Sequence, residues 1–308
     1  MRVWASKACS FNKRCVLLCR SLQVYRRPMP SAVSIDPSLS VNLAGITLRS
    51  PLMCAAGTGG TLDELEDVLD LRHLGAIVTK SITKHERSGN AFPRITWTRG
   101  GMLNAIGLAN PGLNRWDAEI APKISAMPIP VCCSIAGSSI EEYTELASCV
   151  DAHGVVAAIE LNVSCPNVHS GLEIGADSAM ISELVASVLA SVQIAKIFVK
   201  LSPVTVGTPN TIVDLAYAAH EAGAHGITLC NTVPAMGIDI HSRKPILSNV
   251  TGGLSGPAIH PIIVRLVHLV YSSFAQSESV PIIAAGGVTR WEDAAEFILA
   301  GATGIQIG

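Results

Sequence analysis

Two lysines stand where apolar runs of this 308-residue chain turn polar. Thr79-Lys80-Ser81 closes one run, and Lys200-Leu201-Ser202-Pro203 closes another. A buried ammonium is costly unless it meets an anion or an electron-rich group. A single lysine could reach solvent along its own stem; two at equivalent run ends point to a ligand. A third run ends in Glu160-Leu161-Asn162-Val163-Ser164-Cys165-Pro166-Asn167. A free thiol has a pKa of about 8.5, so Cys165 can act as a base wherever its thiolate is favoured. Cysteine is more often a small buried hydrophobe, but the amides of Asn162 and Asn167 beside it favour a functional role. Further amides and a hydroxyl gather at Asn104 and at Asn231-Thr232. Glycines follow the last two runs (Gly286-Gly287 and Gly308), and Gly256 lies in a glycine-rich stretch. Without a Cβ, such backbone can bring N–H groups close to a phosphate, although ordinary tight turns use the same residues.

Other chemistries lack their motifs. There is no P-loop, no G-x-S-x-G elbow, no HExxH among the nine histidines and no CxxC among the nine cysteines, so no metal centre is expected. An odd cysteine count without framework spacing argues for a reducing compartment, with Cys54, Cys132, Cys133 and Cys230 in strand-like runs. The net charge of −2 gives no basic footprint for nucleic acid. No unbroken apolar stretch reaches about 18 residues, so no membrane span is expected.

The residues above need elements to hold them. Eight apolar runs read as strands: Pro51–Ala55, Ala76–Thr79, Pro130–Ile135, Ala157–Leu161, Ile197–Leu201, Gly226–Cys230, Pro281–Ala285 and Thr303–Ile307. Helix-period segments lie between most of them, at Leu62–His73, Ile140–His153, Asp177–Gln193, Asn210–Ala222, Ala258–Phe274 and Trp291–Ala300. Asp177 suits a helix start, and Gly75, Gly223 and Gly301 suit stops. Residues 40–51 alternate across a glycine, as a short β-hairpin does. The segments 101–112 and 251–257 read as long loops. Strands alternating with helices imply parallel βαβ units, and eight of them imply a closed (β/α)8 barrel. An open doubly wound sheet is the alternative, but the turn at Ala56–Leu62 has Leu62 where a dinucleotide fingerprint needs its third glycine. Hydrophobic residues make up 49% and aromatics only 4%, so the core must be aliphatic, which suits such a barrel. In this fold the chemistry sits at the C-terminal ends of the strands, and phosphate binds after the seventh and eighth. Every candidate named above falls at such an end or in a following loop.

Residues 1–35 differ: Arg2, Lys7, Lys13, Arg14, Arg20, Arg26 and Arg27 precede the first acid, Asp36. They read as a transit peptide or as an upstream extension with Met29 as the start, and in either case stand apart from a barrel domain over 36–308. No covering helix follows the last strand, so that domain reads as C-terminally truncated.

Four segments carry a family resemblance: ELNVSCPNV (Glu160–Val168), GMLNAIGLANPG (Gly101–Gly112), VKLSP (Val199–Pro203) and RKPILSNVTGGLSGPAIHP (Arg243–Pro261). In order, spacing and strand position they resemble the dihydroorotate dehydrogenases from about Val41 onward. The cysteine at position 165 is similar to class 1, and LNAIGL with GGLSGPAI is similar to class 1B. The resemblance implies an FMN enzyme that oxidises dihydroorotate to orotate in pyrimidine biosynthesis. It implies Cys165 as the base at C5, with a hydride passing from C6 to flavin N5. It implies substrate contacts from Lys80, Asn104, Asn162, Asn167, Asn231 and Thr232 and from the backbone of Ile106, Gly107 and Leu108. The flavin would meet Ala56, Gly57, Lys80, Ser81, Asn162 and Lys200, and its phosphate Gly256, Gly286, Gly287 and Gly308. Implied partners are a second copy of the chain and, in a heterotetramer, a subunit with FAD and an iron–sulfur cluster that passes electrons to NAD. A cytoplasmic enzyme is implied, or an organellar one if residues 1–35 are a transit peptide. Two alternatives stay open: a uracil- or thymine-reducing barrel like that of dihydropyrimidine dehydrogenase, and an inactive barrel that only binds a partner.

Overall fold

The computed structural model describes residues 36–62, 64–66, 69–164, 174–204 and 209–308. The chain opens with a hairpin, β1 (Val41–Leu43) and β2 (Ile46–Leu48), followed by β3 (Leu52–Cys54) and β4 (Ala76–Val78). Next come β5 (Ile95–Thr98), β6 (Gly101–Asn104), α1 (Gly112–Arg115), a wide π turn (Trp116–Ile120) and α2 (Ala121–Ile124). Four units follow: β7 (Val131–Ile135) with α3 (Ile140–Ala152), β8 (Ala158–Asn162) with α4 (Ser178–Ser191), β9 (Lys196–Leu201) with α5 (Ile212–Glu221), and β10 (Gly226–Leu229). An excursion holds β11 (Val233–Met236), β12 (Ile238–Asp239), β13 (Lys244–Pro245) and β14 (Thr251–Ser255). Then α6 (His260–Val270), β15 (Ile282–Ala285), α7 (Trp291–Ala300) and β16 (Gly304–Ile307) complete the order.

Eight strands close a parallel barrel in the order β10-β15-β16-β3-β4-β7-β8-β9. All eight are the runs read from the sequence, with ends shifted by at most a residue or two. Period two sorts each strand between two cores. Ile77, Cys133, Ile159, Val199, Ile227, Ala284 and Ile305 face the helices. Met53, Ala76, Val78, Cys132, Ala158, Phe198 and Ile283 form a second cluster together with Leu43 and Leu48 of the hairpin. The hairpin thus plugs the N-terminal end of the barrel with apolar side chains, which leaves only the opposite end for polar groups.

Local signals explain the helix boundaries. Asp177 caps α4 by accepting from the N–H groups of Ala179 (2.8 Å) and Met180 (3.1 Å). Gly301 ends α7 in the left-handed region, at φ +113°. Two expectations fail. Among the described residues of Leu62–His73 only a short 3₁₀ turn, Leu71–His73, is helical. Glu64 folds back there to accept from the N–H groups of Thr61 and Leu62, and Asp70 accepts from Arg72 N–H, so local side-chain bonds replace the helix ladder. The stretches 101–112 and 251–257 are not simply loops, because β6 and β14 lie at the centre of an antiparallel sheet, β11-β14-β6-β5. Their glycines hide the alternation but permit the pairing: a Cβ on Gly101 would lie 1.8 Å from Ser255 O, and one on Gly252 2.4 Å from Asn104 O. The helical run Pro257–Ala275 has 19 residues and a mean hydropathy of 1.4, enough by length and composition to cross a membrane. In the fold it packs on β10 and β15, as a barrel-covering helix must.

One buried side chain staples the end of α3 to the start of β9. The Asp151 carboxylate accepts from the N–H groups of Gln193 (2.7 Å), Ile194 (3.2 Å) and Ala195 (2.7 Å). Asp151→Ala leaves these donors without their acceptor and is expected to cost about 3 kcal/mol of stability. Urea unfolding checks this, and a loss under about 1 kcal/mol would show that water replaces the carboxylate.

Candidate active site

Above the apolar plug the inward positions turn polar. Glu160 of β8, Lys200 of β9, Thr228 of β10 and Gln306 of β16 are all buried and joined by contacts. Glu160 Oε2 accepts from Gln306 Nε2 (2.6 Å) and Thr228 Oγ1 (3.1 Å). Lys200 Nζ donates to Gln306 Oε1 (2.8 Å) and lies 3.6 Å from Glu160 Oε1, an oxygen with no hydrogen-bond partner. The lysine is therefore aimed by its hydrogen bond to Gln306 and neutralised by the nearby buried carboxylate of Glu160. Lys200 was among the candidates; Glu160, Thr228 and Gln306 were not. Their signal is a polar residue at an inward position of an otherwise apolar strand.

Lys80 has a different setting. It follows β4 and packs on Gly57, where a Cβ would lie 3.2 Å from its Nζ. Burial pushes its ammonium below the ordinary lysine range. Among the described residues, no carboxylate or carbonyl takes a hydrogen bond from its Nζ. A partly buried cation without a partner calls for an electron-rich ligand.

An arc of amides and hydroxyls runs along the same mouth. Ser134 Oγ pairs with Ser81 Oγ (2.8 Å), Asn162 Nδ2 donates to Ser81 Oγ (3.2 Å), and Asn231 Nδ2 donates to Asn162 Oδ1 (3.1 Å). Asn231 Oδ1 accepts from Thr232 N–H (2.8 Å). Thr232 fits over Gly253, where a Cβ would lie 1.8 Å from its Oγ1, and Asn104 Nδ2 donates to Gly253 O (3.2 Å). Five candidates (Ser81, Asn104, Asn162, Asn231 and Thr232) thus form one connected set. No sequence signal marks Ser134, nor Tyr143, whose hydroxyl donates to Asn162 O (2.7 Å). Gly107 (φ +74°) and Leu108 (φ +54°) turn the adjoining loop through the left-handed region, and Asn90 N–H holds it by donating to Ile106 O.

The glycines make a second group. A Cβ on Gly287 (φ +74°) would lie 2.8 Å from Gly256 O, and one on Gly256 (φ +101°) 2.6 Å from Gly101 Cα. Gly286 is adjacent, whereas Gly308 follows β16 beside Thr58 and Ala55. Ala56 and Gly57 follow β3. Cys165 and Asn167 lie outside the described residues, so they enter no geometry here. Of the cysteines expected in strands, Cys54, Cys132, Cys133 and Cys230 are buried and free. Burial raises all four thiols, that of Cys133 to about 12, which keeps them protonated and leaves little thiolate to act as a base.

Fold and site define a (β/α)8 barrel whose C-terminal mouth holds two lysines, an amide arc and a glycine cradle. The family model for dihydroorotate dehydrogenase matches residues 38–308. A Geotalea uraniireducens protein named dihydroorotate dehydrogenase B (NAD+), catalytic subunit, is 45% identical, covering 88% of this chain and 87% of its own. Proteins of the same name from Pelobacter propionicus (45%, 89% of this chain and 88% of theirs) and Bacteroides thetaiotaomicron (41%, 88% and 86%) are similar too. A crystal structure of dihydroorotate dehydrogenase from Eimeria tenella, in complex with ferulenol, shares the fold with a TM-score of 0.75 at 20% identity. The match covers 96% of this chain and 84% of that one. The chain belongs to the dihydroorotate dehydrogenase family, FMN-dependent oxidoreductases that act on dihydroorotate. Neither the uracil-type reading nor the inactive-barrel reading gains support from these matches.

The Glu160–Lys200 pair yields a double-mutant test. Glu160→Gln strands a buried ammonium and Lys200→Met a buried carboxylate, each at a cost of about 3–5 kcal/mol. The double variant is expected to unfold at higher urea than either single one. Strictly additive losses would show that the two charges are not coupled.

Proposed function

We propose that this chain is the catalytic subunit of a class 1B, NAD-linked dihydroorotate dehydrogenase, oxidising dihydroorotate to orotate. One observation carries the reading: Lys80, disfavoured as a cation by burial and without a partner among the described residues, packs on Gly57 at the mouth that also holds Lys200 and the amide arc. The residues fit FMN. At Gly57, Gly256 and Gly287 the backbone comes so close to Lys80, Gly101 and Gly256 that a Cβ would crowd them, which keeps this rim backbone bare of side chains, and the cationic groups suit an electron-rich ring. Ala56, Gly57, Ser81, Asn162 and Lys200 would hold the ring system, and Gly256, Gly286, Gly287 and Gly308 the phosphate. When bound, FMN supplies the two-electron acceptor for the oxidation.

The protein's share is positioning and proton transfer. Asn104, Asn162, Asn167, Asn231 and Thr232, with Lys80 and the backbone of Ile106–Leu108, would take up the polar edges and carboxylate of dihydroorotate. Cys165 takes the proton from C5 as the hydride leaves C6, and the C5–C6 double bond of orotate forms. The buried, raised thiols of the other strand cysteines support assigning this role to Cys165, which follows the chain end of β8. Cys165→Ala is expected to retain FMN and to slow flavin reduction by dihydroorotate about 10²–10⁴-fold. Stopped-flow absorbance reads this, and bleaching at the wild-type rate would remove Cys165 as the base.

Electrons would leave through a second subunit carrying FAD and an iron–sulfur cluster; the names of the relatives, which specify NAD+ and a catalytic subunit, support this. We also infer a homodimer. Its support is the edge strand β5 and the loop before it, where Phe92 and Trp97 are 80% and 82% exposed, beside Ile95. Trp97→Glu is expected to halve the sedimenting mass. An unchanged mass would place the contact elsewhere.

A further inference from the structure

One buried side chain joins the start of α6 to the glycine turn after β15. His260 Nδ1 lies 3.2 Å from Gly286 O, and its Nε2 lies 3.0 Å from Glu296 Oε2 on α7. Gly286 O is an acceptor, so a ring with its proton on Nδ1 donates to it, and the Nε2 contact to Glu296 is an ion pair only when that nitrogen is protonated too. The ring also packs edge-on against Phe297, at a centroid distance of 4.6 Å, and cannot swing away without opening the α6–α7 contact.

The bond to Gly286 has a geometric consequence. A trans peptide points its C=O and N–H in opposite directions. With the Gly286 carbonyl turned toward His260, the N–H of Gly287 points the other way. Among the described residues no acceptor takes that N–H. Crowding holds the same conformation, because Gly287 sits at φ +74° with Gly256 O and His260 N each less than 3 Å from where a Cβ would be. His260 therefore fixes the orientation of a donor that the protein itself leaves unused, at the place where this fold binds phosphate.

We propose that His260 is a positioning residue for the phosphate end of the bound flavin nucleotide. It does not touch the ligand; it sets the Gly286–Gly287 peptide so that the Gly287 N–H meets a phosphate oxygen. The proposal rests on the FMN reading above and adds to it a residue at the start of α6, outside the set assigned to the ring system. It separates two parts of the ligand: His260 serves the phosphate and is indifferent to the isoalloxazine ring.

Riboflavin, which lacks the phosphate, provides the control. Apoprotein is titrated with FMN and with riboflavin, following flavin fluorescence, for wild type, His260→Leu and His260→Asn. The expected result for His260→Leu is an FMN Kd raised about tenfold or more with an unchanged riboflavin Kd. His260→Asn, whose Nδ2 can still donate to Gly286 O, is expected to recover most of the FMN preference. An unchanged FMN preference in His260→Leu overturns the proposal. So does an equal loss of both flavins in the Leu and Asn variants, which would make the ring a packing element only. A wild-type protein that binds neither flavin overturns the FMN reading itself, and is told apart from the other outcomes by that first titration.

Discussion

A buried carboxylate beside a buried ammonium is the constraint on which the barrel mouth depends. Glu160 and Lys200 sit inside a closed sheet, where neither charge is tolerable alone. Gln306 joins them, donating to one and accepting from the other, and Thr228 completes the carboxylate's shell. Each of the four comes from a different strand, so their register must be right for the layer to exist. The hairpin plug of Leu43 and Leu48 lies on the apolar layer below. Polar chemistry in this barrel is therefore one-sided: the lower layer buries aliphatic side chains, and the upper layer directs charge toward the mouth.

Close backbone approach is the second theme. Gly101, Gly256 and Gly287 cross one another with no room for a Cβ, and Gly253 lies under Thr232. These contacts tie the antiparallel excursion to the barrel rim and bring Asn104, carried by β6, to the strand-end amides. The cradle and the amide arc are thus positioned by the same glycines that let β6 and β14 pair. Lys80, packed on Gly57 and next in the chain to Ser81 of the arc, is a cation for which the described protein offers no counter-charge, and it gives the mouth its demand for an electron-rich ligand.

Much of this was legible in the sequence because a parallel barrel writes its strands as apolar runs. All eight appeared as such, and the small or polar residues at the run ends marked the rim. The site candidates followed from position alone for Lys80, Lys200, Asn162 and Asn231. The remainder was hidden for physical reasons. Glu160 and Gln306 look like accidents inside strands until closure brings them together. The pairing of β6 with β14 is masked by the glycines that permit it. The helical period of residues 62–73 is real, but Glu64 and Asp70 bond to nearby backbone N–H groups and leave only a short turn among the described residues. His260 carries no sequence signal at all, since its partners Gly286 and Glu296 are distant in the chain.

A mouth that binds FMN and dihydroorotate together passes two electrons between them. The visible spectrum of the purified protein, recorded anaerobically before and after addition of dihydroorotate, tests this transfer most directly. The expected protein is yellow, or made yellow by added FMN, and its flavin absorbance bleaches with dihydroorotate. A protein that takes up FMN but stays yellow with dihydroorotate, or one that takes up no flavin, would contradict it.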